Sequence, residues 1–499
     1  MRFIAFALFY LFPNIALAQI DDSFMVNINS FLEAIISPIT SFLAFLFLGD
    51  SYQIFNHDLQ ITIFGLPLIV AWLIAAGIFF TIKLKFVNLR LFKHGIDVVR
   101  GKYSSDDDKD GKITPLQALF TAVSATVGLG NIAGVAIAIS IGGPGAVIWM
   151  MVAAFFGMST KFVEVTLGQK YRRTKNGHLL AGAFYYLEEG LKDHGKEKLG
   201  KILAKIAAIF CIFGAIGAGI MFQANQSISI VADSFNLQSS SKAFLSIALA
   251  AIIAFVLLGG IVRIANIASK IVPLMAATYI IMCFVVLVVN SDKIFDAINI
   301  IFTSAFTSNA AYGGVIGAIV QGFKRAAFSN EAGLGSAPIA HAAAKVSHPM
   351  REGSVAILEP FIDTILICFL SGIVIVVTGA YIDATDGILI SKAAFSSVTP
   401  WFSYLLSLVV FLFAFSTMLT YSYYGKQAWT YLTGGKHINT CYAIFAFFVF
   451  VGGVLKLGIV IDLADILFLT MSIPNIIGLY IMSGTIKNEL NDYVKKLKR

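Results

Sequence analysis

Eleven apolar stretches run through this chain of 499 residues, at about 61–82, 117–142, 145–169, 202–231, 243–262, 271–290, 313–345, 354–379, 401–432, 440–458 and 462–485. A bilayer core is crossed by roughly 20 helical residues, and backbone in lipid must satisfy its own hydrogen bonds, so stretches of this length fold as transmembrane helices. The expected class is an all-α polytopic membrane protein. Only 13% of the residues are charged, against about 25% in a soluble domain, which excludes a soluble multidomain enzyme. The 42 Gly fit the same class, because small residues let membrane helices approach closely; Gly214, Gly217, Gly259 and Gly260 are read in that way. Cys211, Cys283, Cys368 and Cys441 lie far apart in apolar segments and form neither a disulfide framework nor a metal motif.

The net charge of +8 falls in alternate connections. Lys83 to Lys112, Lys170 to Lys175, Arg263 with Lys270, Lys345 with Arg351, Lys426 with Lys436 and the tail Lys495 to Arg499 mark one side. The other side holds single residues such as Lys242, Lys293 and Lys392. Short cytoplasmic loops retain positive charge, so the carboxyl end is expected inside, and no nucleic-acid partner is implied. Arg2, the apolar run Phe3 to Phe12 and Ala16-Leu17-Ala18 predict a signal peptide over 1–18. An acidic, Lys-free and Arg-free segment over 19–60 is expected at the periplasmic interface. A domain of about eleven transmembrane helices over 61–485 and a basic cytoplasmic tail over 486–499 are expected to follow, in a bacterial inner membrane in contact with lipid.

Irregular backbone survives in hydrocarbon only where it lines a cavity or is buried in protein. Two segments predict such breaks: Ala125-Thr126-Val127-Gly128-Leu129-Gly130-Asn131-Ile132-Ala133-Gly134, and Phe328-Ser329-Asn330-Glu331-Ala332-Gly333-Leu334-Gly335-Ser336-Ala337-Pro338. Two broken helices five spans apart are the pattern of a carrier built from inverted repeats, with substrate held between the breaks. A half-helix N-terminus offers N–H groups to a carboxylate, and unwound carbonyls offer oxygen to a cation. The glycine spacing at 128, 130 and 134 does not match a dinucleotide fingerprint and lacks its strand.

Several polar residues inside the spans leave choices open. Glu331 is expected to pair with Arg325, or else 329–345 dips back from the cytoplasm and leaves these charges wet. Lys161 and Glu164, three apart, predict a local ion pair. His341 stands beside Pro338 and alanines with no evident partner. Ser416 and Thr417 either bond their own helix or complete an all-oxygen cation site. Gln223 and Asn225 raise the choice between substrate contact and helix–helix bonding, with Asn225 the more structural. Asp106 to Gln117 follows calcium-loop spacing, yet Gln117 replaces the bidentate Glu at position 12; a hydrated connection opening a helix at Thr114-Pro115 is favoured, and calcium stays open.

Over about 61–485 the chain resembles the alanine or glycine:cation symporter family. The resemblance rests on both breaks, on Gln117-Ala118-Leu119, on the run Gly142 to Gly157 and on Phe413-Ala414-Phe415-Ser416-Thr417 with Ser422-Tyr423-Tyr424-Gly425. It implies a leucine-transporter-like 5+5 inverted repeat with one extra N-terminal transmembrane helix, coupling uptake of small neutral amino acids to Na⁺, or to H⁺ in some members, with no organic cofactor. By position, Thr126, Gly128, Gly130 and Asn131 would hold the substrate carboxylate, with Gln223, Ser329, Asn330 and Tyr421 nearby. Ser416 and Thr417 would ligate Na⁺ with the carbonyls of Ser124 and Val127, by analogy with the wider fold. Tyr421 stands where the family commonly has Trp, Ala181 to Tyr186 departs from its Gly-Gly-Pro-Met-Tyr-Tyr, and Ile148 and Met151 replace signature aromatics. A smaller residue at 421 would admit a substrate larger than alanine, such as glutamine. A channel lacks its ring of charges or carbonyls, a membrane enzyme its cluster of His and acids, and a transporter-like sensor its output domain. Oligomeric state is left open.

Overall fold

The computed structural model describes residues 68–104, 111–175, 178–257, 260–307, 314–382 and 387–497, with isolated residues and short strands between 30 and 67. The expected signal peptide and Asp106 to Asp110 lie outside the described residues. Each of the eleven apolar stretches contains helix. Among the described residues six helices are long and apolar enough to cross a membrane, or seven if the bent pair Pro115–Thr126 and Leu129–Gly142 is one span; Leu68–Lys83, Ser241–Leu257 and Ile438–Val454 are among the shorter apolar ones. The chain is a multi-pass membrane protein.

The elements that position the site are as follows. Helix α1 (Leu68–Lys83) leads through the short amphipathic α2 (Phe92–Val99) to α3 (Pro115–Thr126). The start of α3 is set by a capping box, in which Thr114 Oγ1 accepts from the Gln117 amide at 3.2 Å and Gln117 Oε1 accepts from the Thr114 amide at 3.0 Å. Gln117 is therefore committed to a helix end, as the Thr114-Pro115 reading expects. After a single 3₁₀ turn at Leu129–Asn131 the chain resumes as α4 (Ala133–Gly142), bent 59° from α3. Helix α5 (Ala146–Lys170) and the long α6 (Glu197–Ser234) follow, α6 with a π-helical stretch at Ala215–Met221.

After α7 (Ser239–Leu257) and α8 (Gly260–Val289) comes α9 (Gly314–Asn330). It ends at the second break, beyond which α10 (Ala337–His341) is short. Helix α11 (Pro349–Thr378) carries a second π-helical stretch at Phe361–Cys368. The chain ends with α12 (Trp401–Thr433), α13 (Ile438–Val454), α14 (Leu457–Leu469) and α15 (Ser472–Leu497).

The distribution of polarity is that of a protein dissolved in lipid. Phe255, Ile281, Phe284 and Val288 point outward, Val288 with 70% of its surface free, while Lys161, Glu164, Glu331, His341, Glu352, Glu359 and Asp363 are buried. Close contacts rest on glycine: a Cβ on Gly217 would stand 3.2 Å from the Ala464 Cα of α14, and one on Gly452 2.5 Å from the Met221 Cα of α6. All four cysteines are free and buried.

Candidate functional site

The first break opens because the residues after Thr126 leave α3 without continuing it. Val127 closes α3 with ψ of 87°, and Gly128 is extended at φ −138° and ψ −151°. The N–H groups so freed go to side chains: Gly128 donates to Asn131 Oδ1 at 2.9 Å and Leu129 to Gln223 Oε1 at 3.2 Å. Gln223 in turn donates to the Ala218 carbonyl inside the π-helical stretch of α6. A Cβ on Gly128 would lie 2.6 Å from Thr417 Oγ1, so α12 approaches the break closely.

The second break uses left-handed backbone. Glu331, Gly333 and Gly335 have φ of 60°, 91° and 79°, a region glycine enters without a steric penalty. The amides of Gly333 and Gly335 point at the carboxylate of Glu164 on α5, at 3.2 and 2.7 Å, and Asn475 Nδ2 of α15 adds a third donor at 2.6 Å. Asn330 Nδ2 donates to Thr364 Oγ1 at 3.1 Å, and Asn330 Oδ1 accepts from the Ala332 amide at 3.0 Å.

The two breaks meet. A Cβ on Gly130 would stand 3.3 Å from the Ser329 Cα. Between them sits Asp363, on the π-helical stretch of α11. Its Oδ1 accepts from Asn131 Nδ2 at 2.6 Å, and its Oδ2 accepts from Ser329 Oγ and Thr364 Oγ1, both at 2.6 Å. Cys368 Sγ lies 3.3 Å from both Asn131 Nδ2 and Ser329 Oγ. One carboxylate thus ties both broken helices to a third, and no Lys or Arg forms an ion pair with it among the described residues. Asp363 was not singled out from the sequence, although an acid inside an apolar span is itself a functional signal.

The expected cation ligands come together in part. Thr417 Oγ1 donates to the Ser124 carbonyl at 3.1 Å, and Ser124 Oγ and Thr420 Oγ1 share a bond of 2.7 Å, so Ser124, Thr417 and Thr420 form an oxygen-rich contact between α3 and α12. Ser416 instead bonds the Phe413 carbonyl at 3.0 Å and faces Met275 Sδ of α8 at 3.8 Å. Adjacent residues on a helix point about 100° apart, which is why only one of the pair reaches α3. Thr126 Oγ1 turns back to the Ala122 carbonyl at 3.4 Å. Tyr421 packs against Gly219 of α6 and Phe468 of α14, with its hydroxyl facing Glu331.

Three expected pairings are corrected. Arg325 pairs with Asp465 of α14, not with Glu331, and its guanidinium lies 5.4 Å over the Phe328 ring. Arg325 precedes Glu331 by six residues, about 1.7 helical turns, which turns it to another face, and its long side chain reaches the neighbouring helix. Lys161 pairs with Glu359 at 3.0 Å, not with Glu164, whose oxygens are taken by the second break. His341 does have partners: Nδ1 lies 2.7 Å from Glu352 and Nε2 3.5 Å from Glu359. These groups are buried, so none of them is wet as the re-entrant alternative supposed. Asn225 is structural, donating to the carbonyls of Gly452 and Leu455 at 2.9 and 2.7 Å.

Closures flank the breaks on both sides. Phe328 packs edge-on to Phe222 at 4.9 Å and against Phe468 at 5.3 Å, with the Arg325–Asp465 pair beside it. At the other end the strand-like Ile113 pairs with Ala344, with Lys345 donating to the Ile113 carbonyl at 2.8 Å, and Arg172 ties down the carbonyls of Ala342 and Ala344 at 2.9 and 2.7 Å. Two helix breaks that meet, flanked by such contacts, are the arrangement expected of a carrier.

The sequence model of the sodium:alanine symporter family matches residues 50–499. The chain belongs to the sodium:alanine symporter family. This family member is 42% identical over 429 residues to the sodium/alanine symporter AgcS of Methanococcus maripaludis, covering 85% of this chain and 93% of that protein. It is 34% identical over 453 residues to GlnT of Bacillus subtilis, described as a probable sodium/glutamine symporter, covering 89% and 92%. Among solved structures, MhsT in complex with L-phenylalanine superposes with a TM-score of 0.53 at 12% identity, over 74% of this chain and 89% of that one, which shows a shared fold. As a member of the sodium:alanine symporter family the chain is a transporter and not an enzyme.

Proposed function

We propose that this protein takes up small neutral amino acids of the alanine and glycine class in symport with Na⁺. The observation that carries the reading is the junction of Gly130, Asn131, Ser329 and Asp363, where two unwound helices and a buried carboxylate share one point. A zwitterion needs N–H donors for its carboxylate and a negative group near its ammonium or its co-transported cation. The first break supplies the former through Gly128 to Asn131 with Gln223; Asp363 supplies the latter, with Ser329 and Asn330 alongside. Thr417 with the carbonyls of Ser124 and Val127 is the Na⁺ site of this reading, and Ser416 steadies α12 against α8.

Alanine is the substrate of this reading, and Tyr421, packed over Gly219 and facing Glu331, stands outside the junction. Glutamine is the larger alternative. The fold is read as five spans repeated in inverted order, α3 to α8 and α9 to α15, with α3–α4, α9–α10 and α14–α15 each counted as one span and α1 as the extra helix. The basic connections place the carboxyl end in the cytoplasm. One charge crossing 100 mV contributes about 2.3 kcal/mol, and a tenfold Na⁺ gradient adds about 1.4 kcal/mol. Together they sustain a concentration ratio on the order of 500.

Equilibrium binding of labelled alanine, glycine and glutamine to the purified protein, with and without Na⁺, tests this. Alanine or glycine binding that tightens at least tenfold with Na⁺ in wild type, and loses that gain in Thr417→Ala, is the expected result. Binding indifferent to Na⁺ contradicts the coupling; Na⁺-dependent binding of glutamine alone keeps the coupling and replaces the substrate class.

A further inference from the structure

Apart from the junction at Asp363, a second polar cluster lies between α5, the second break, α10, α11 and α12, and no part of the proposed substrate cycle uses it. Glu164, Glu331, Glu352 and Glu359 are each at most 1% exposed, as are Lys161 and His341. Most of these charges have partners. Lys161 holds Glu359 at 3.0 Å, and His341 lies between Glu352 at 2.7 Å and Glu359 at 3.5 Å, with Arg172 approaching Glu352 from the rim. Glu164 accepts three N–H donors, two from backbone.

Glu331 differs: among the described residues it has neither the Lys or His contact of Glu352 and Glu359 nor the N–H donors of Glu164. Its Oε2 accepts from Ser336 Oγ, and its Oε1, like one oxygen of Glu352 and one of Glu359, has no hydrogen-bond partner there. Tyr421, 3% exposed, aims its hydroxyl at this carboxyl, and among the described residues that hydroxyl has no other hydrogen-bond partner. The remaining groups facing Glu331 are Lys161 of α5, already engaged by Glu359, then Glu359 itself, Tyr424 of α12 and Cys211 of α6. An ionised carboxylate buried without a cation in contact costs several kcal/mol. A neutral acid in the same place needs only hydroxyl partners, and Ser336 and Tyr421 are hydroxyls.

We propose that Glu331, with Tyr421 and Ser336, is a proton-binding site distinct from the substrate junction. The carboxylic acid is the state that fits the closed arrangement. Its O–H faces Tyr421, so the proton joins the second break to α12, the helix that carries Thr417. Loss of the proton leaves a carboxylate beside Glu359 and favours water entry at the second break. The row Glu359, His341 and Glu352 leads from this site to the rim at Arg172, and the released proton leaves along it. The bond broken is Glu331 O–H, and the acceptor is water at that rim. This inference does not rest on which amino acid is carried.

The test is infrared titration of the whole reconstituted protein, with thermal unfolding and uptake measured over the same pH range. In wild type a protonated-carboxyl C=O band is expected, lost on alkalinisation. It is absent in Glu331→Gln and present in Asp363→Asn. Glu331→Gln, which mimics the neutral acid, is expected to melt within a few degrees of wild type, and its melting temperature should not fall at alkaline pH as that of wild type does. A band that survives in Glu331→Gln overturns the proposal. So does a melting temperature for Glu331→Gln well below wild type at every pH, the mark of a lost counter-ion to Lys161. Should Glu331→Gln not fold, Tyr421→Phe decides: it should shift the band without removing it, and an unshifted band overturns the assignment.

Discussion

Asp363 holds the breaks together through three hydrogen bonds at 2.6 Å, from Asn131, Ser329 and Thr364. Asp363→Asn keeps the size and removes the charge while leaving one oxygen to accept. The expected outcome is a folded protein whose Na⁺-dependent alanine uptake falls more than tenfold, read as initial rates at matched protein content; uptake within a factor of two of wild type contradicts its role. Gly128→Ala makes a different demand, because its Cβ would stand 2.6 Å from Thr417 Oγ1 and 3.3 Å from Gln223 Oε1. It should weaken Na⁺ affinity about tenfold, or about 1.4 kcal/mol, checked by the Na⁺ concentration that half-saturates binding. The sequence made Gly128, Gly130, Asn131, Ser329 and Asn330 legible, since asparagine among glycines in mid-span, matched by a second such run five spans later, marks opened helices rather than close packing alone. It hid the partners of Lys161 and Glu164. A local pair three residues apart contributes about 0.2–0.5 kcal/mol, less than bonds to a buried carboxylate at about 1.5–3 kcal/mol each. Those bonds come from Gly333, Gly335 and Asn475, and the sequence does not show which turn lies beside which helix. Glu164→Gln is accordingly expected to destabilise the protein by about 1.5–3 kcal/mol, seen as a lowered melting temperature in detergent.

At the level of elements, the sequence yielded the spans and the position of both breaks, and it missed how the last helix docks. Helix α15 runs well past the membrane segment and ends against α2: His94 Nε2 and the Tyr493 hydroxyl share a bond of 2.8 Å, and the His348 ring lies 4.5 Å from that of Tyr493. Lys495 and Lys496 read as a charged tail, yet Tyr493 and Leu490 of the same helix are buried. Burial, aided by the Arg351 charge, lowers His94 from its ordinary 6.5 to about 4, and burial also lowers His348. The neutral imidazole is therefore the docked form. In the unlatched state His94 binds a proton at its ordinary value, so docking is fully stabilised above about pH 6.5 and is lost as the pH falls toward about 4. Hydrogen exchange at 486–497 should be slow at pH 7.5 and accelerate near pH 5; the acceleration should be blunted in His94→Gln. Exchange that does not change with pH across that window counts against the latch.

On the scale of the whole molecule, the polarity is inverted relative to a soluble protein, and the inversion explains the fold's dependence on its breaks. Buried polar groups gather where helices are interrupted, since freed amides and carbonyls are the partners a lipid-embedded interior otherwise lacks. The two π-helical stretches, Ala215–Met221 and Phe361–Cys368, fall on the helices that face these breaks, where a widened turn re-aims Gln223 and Asp363. Neither stretch has a composition that announces it, and this is the main part of the site that the sequence withheld. The alternating basic connections, by contrast, were readable as charge and set the proposed orientation. Concentrative uptake of labelled alanine into proteoliposomes under an inward Na⁺ gradient tests the central claim most directly. The account predicts accumulation that collapses when the gradient is dissipated and is abolished in Thr417→Ala, whereas Ser416→Ala retains it. Accumulation unaffected by removing Na⁺, or surviving unchanged in Thr417→Ala, would contradict it.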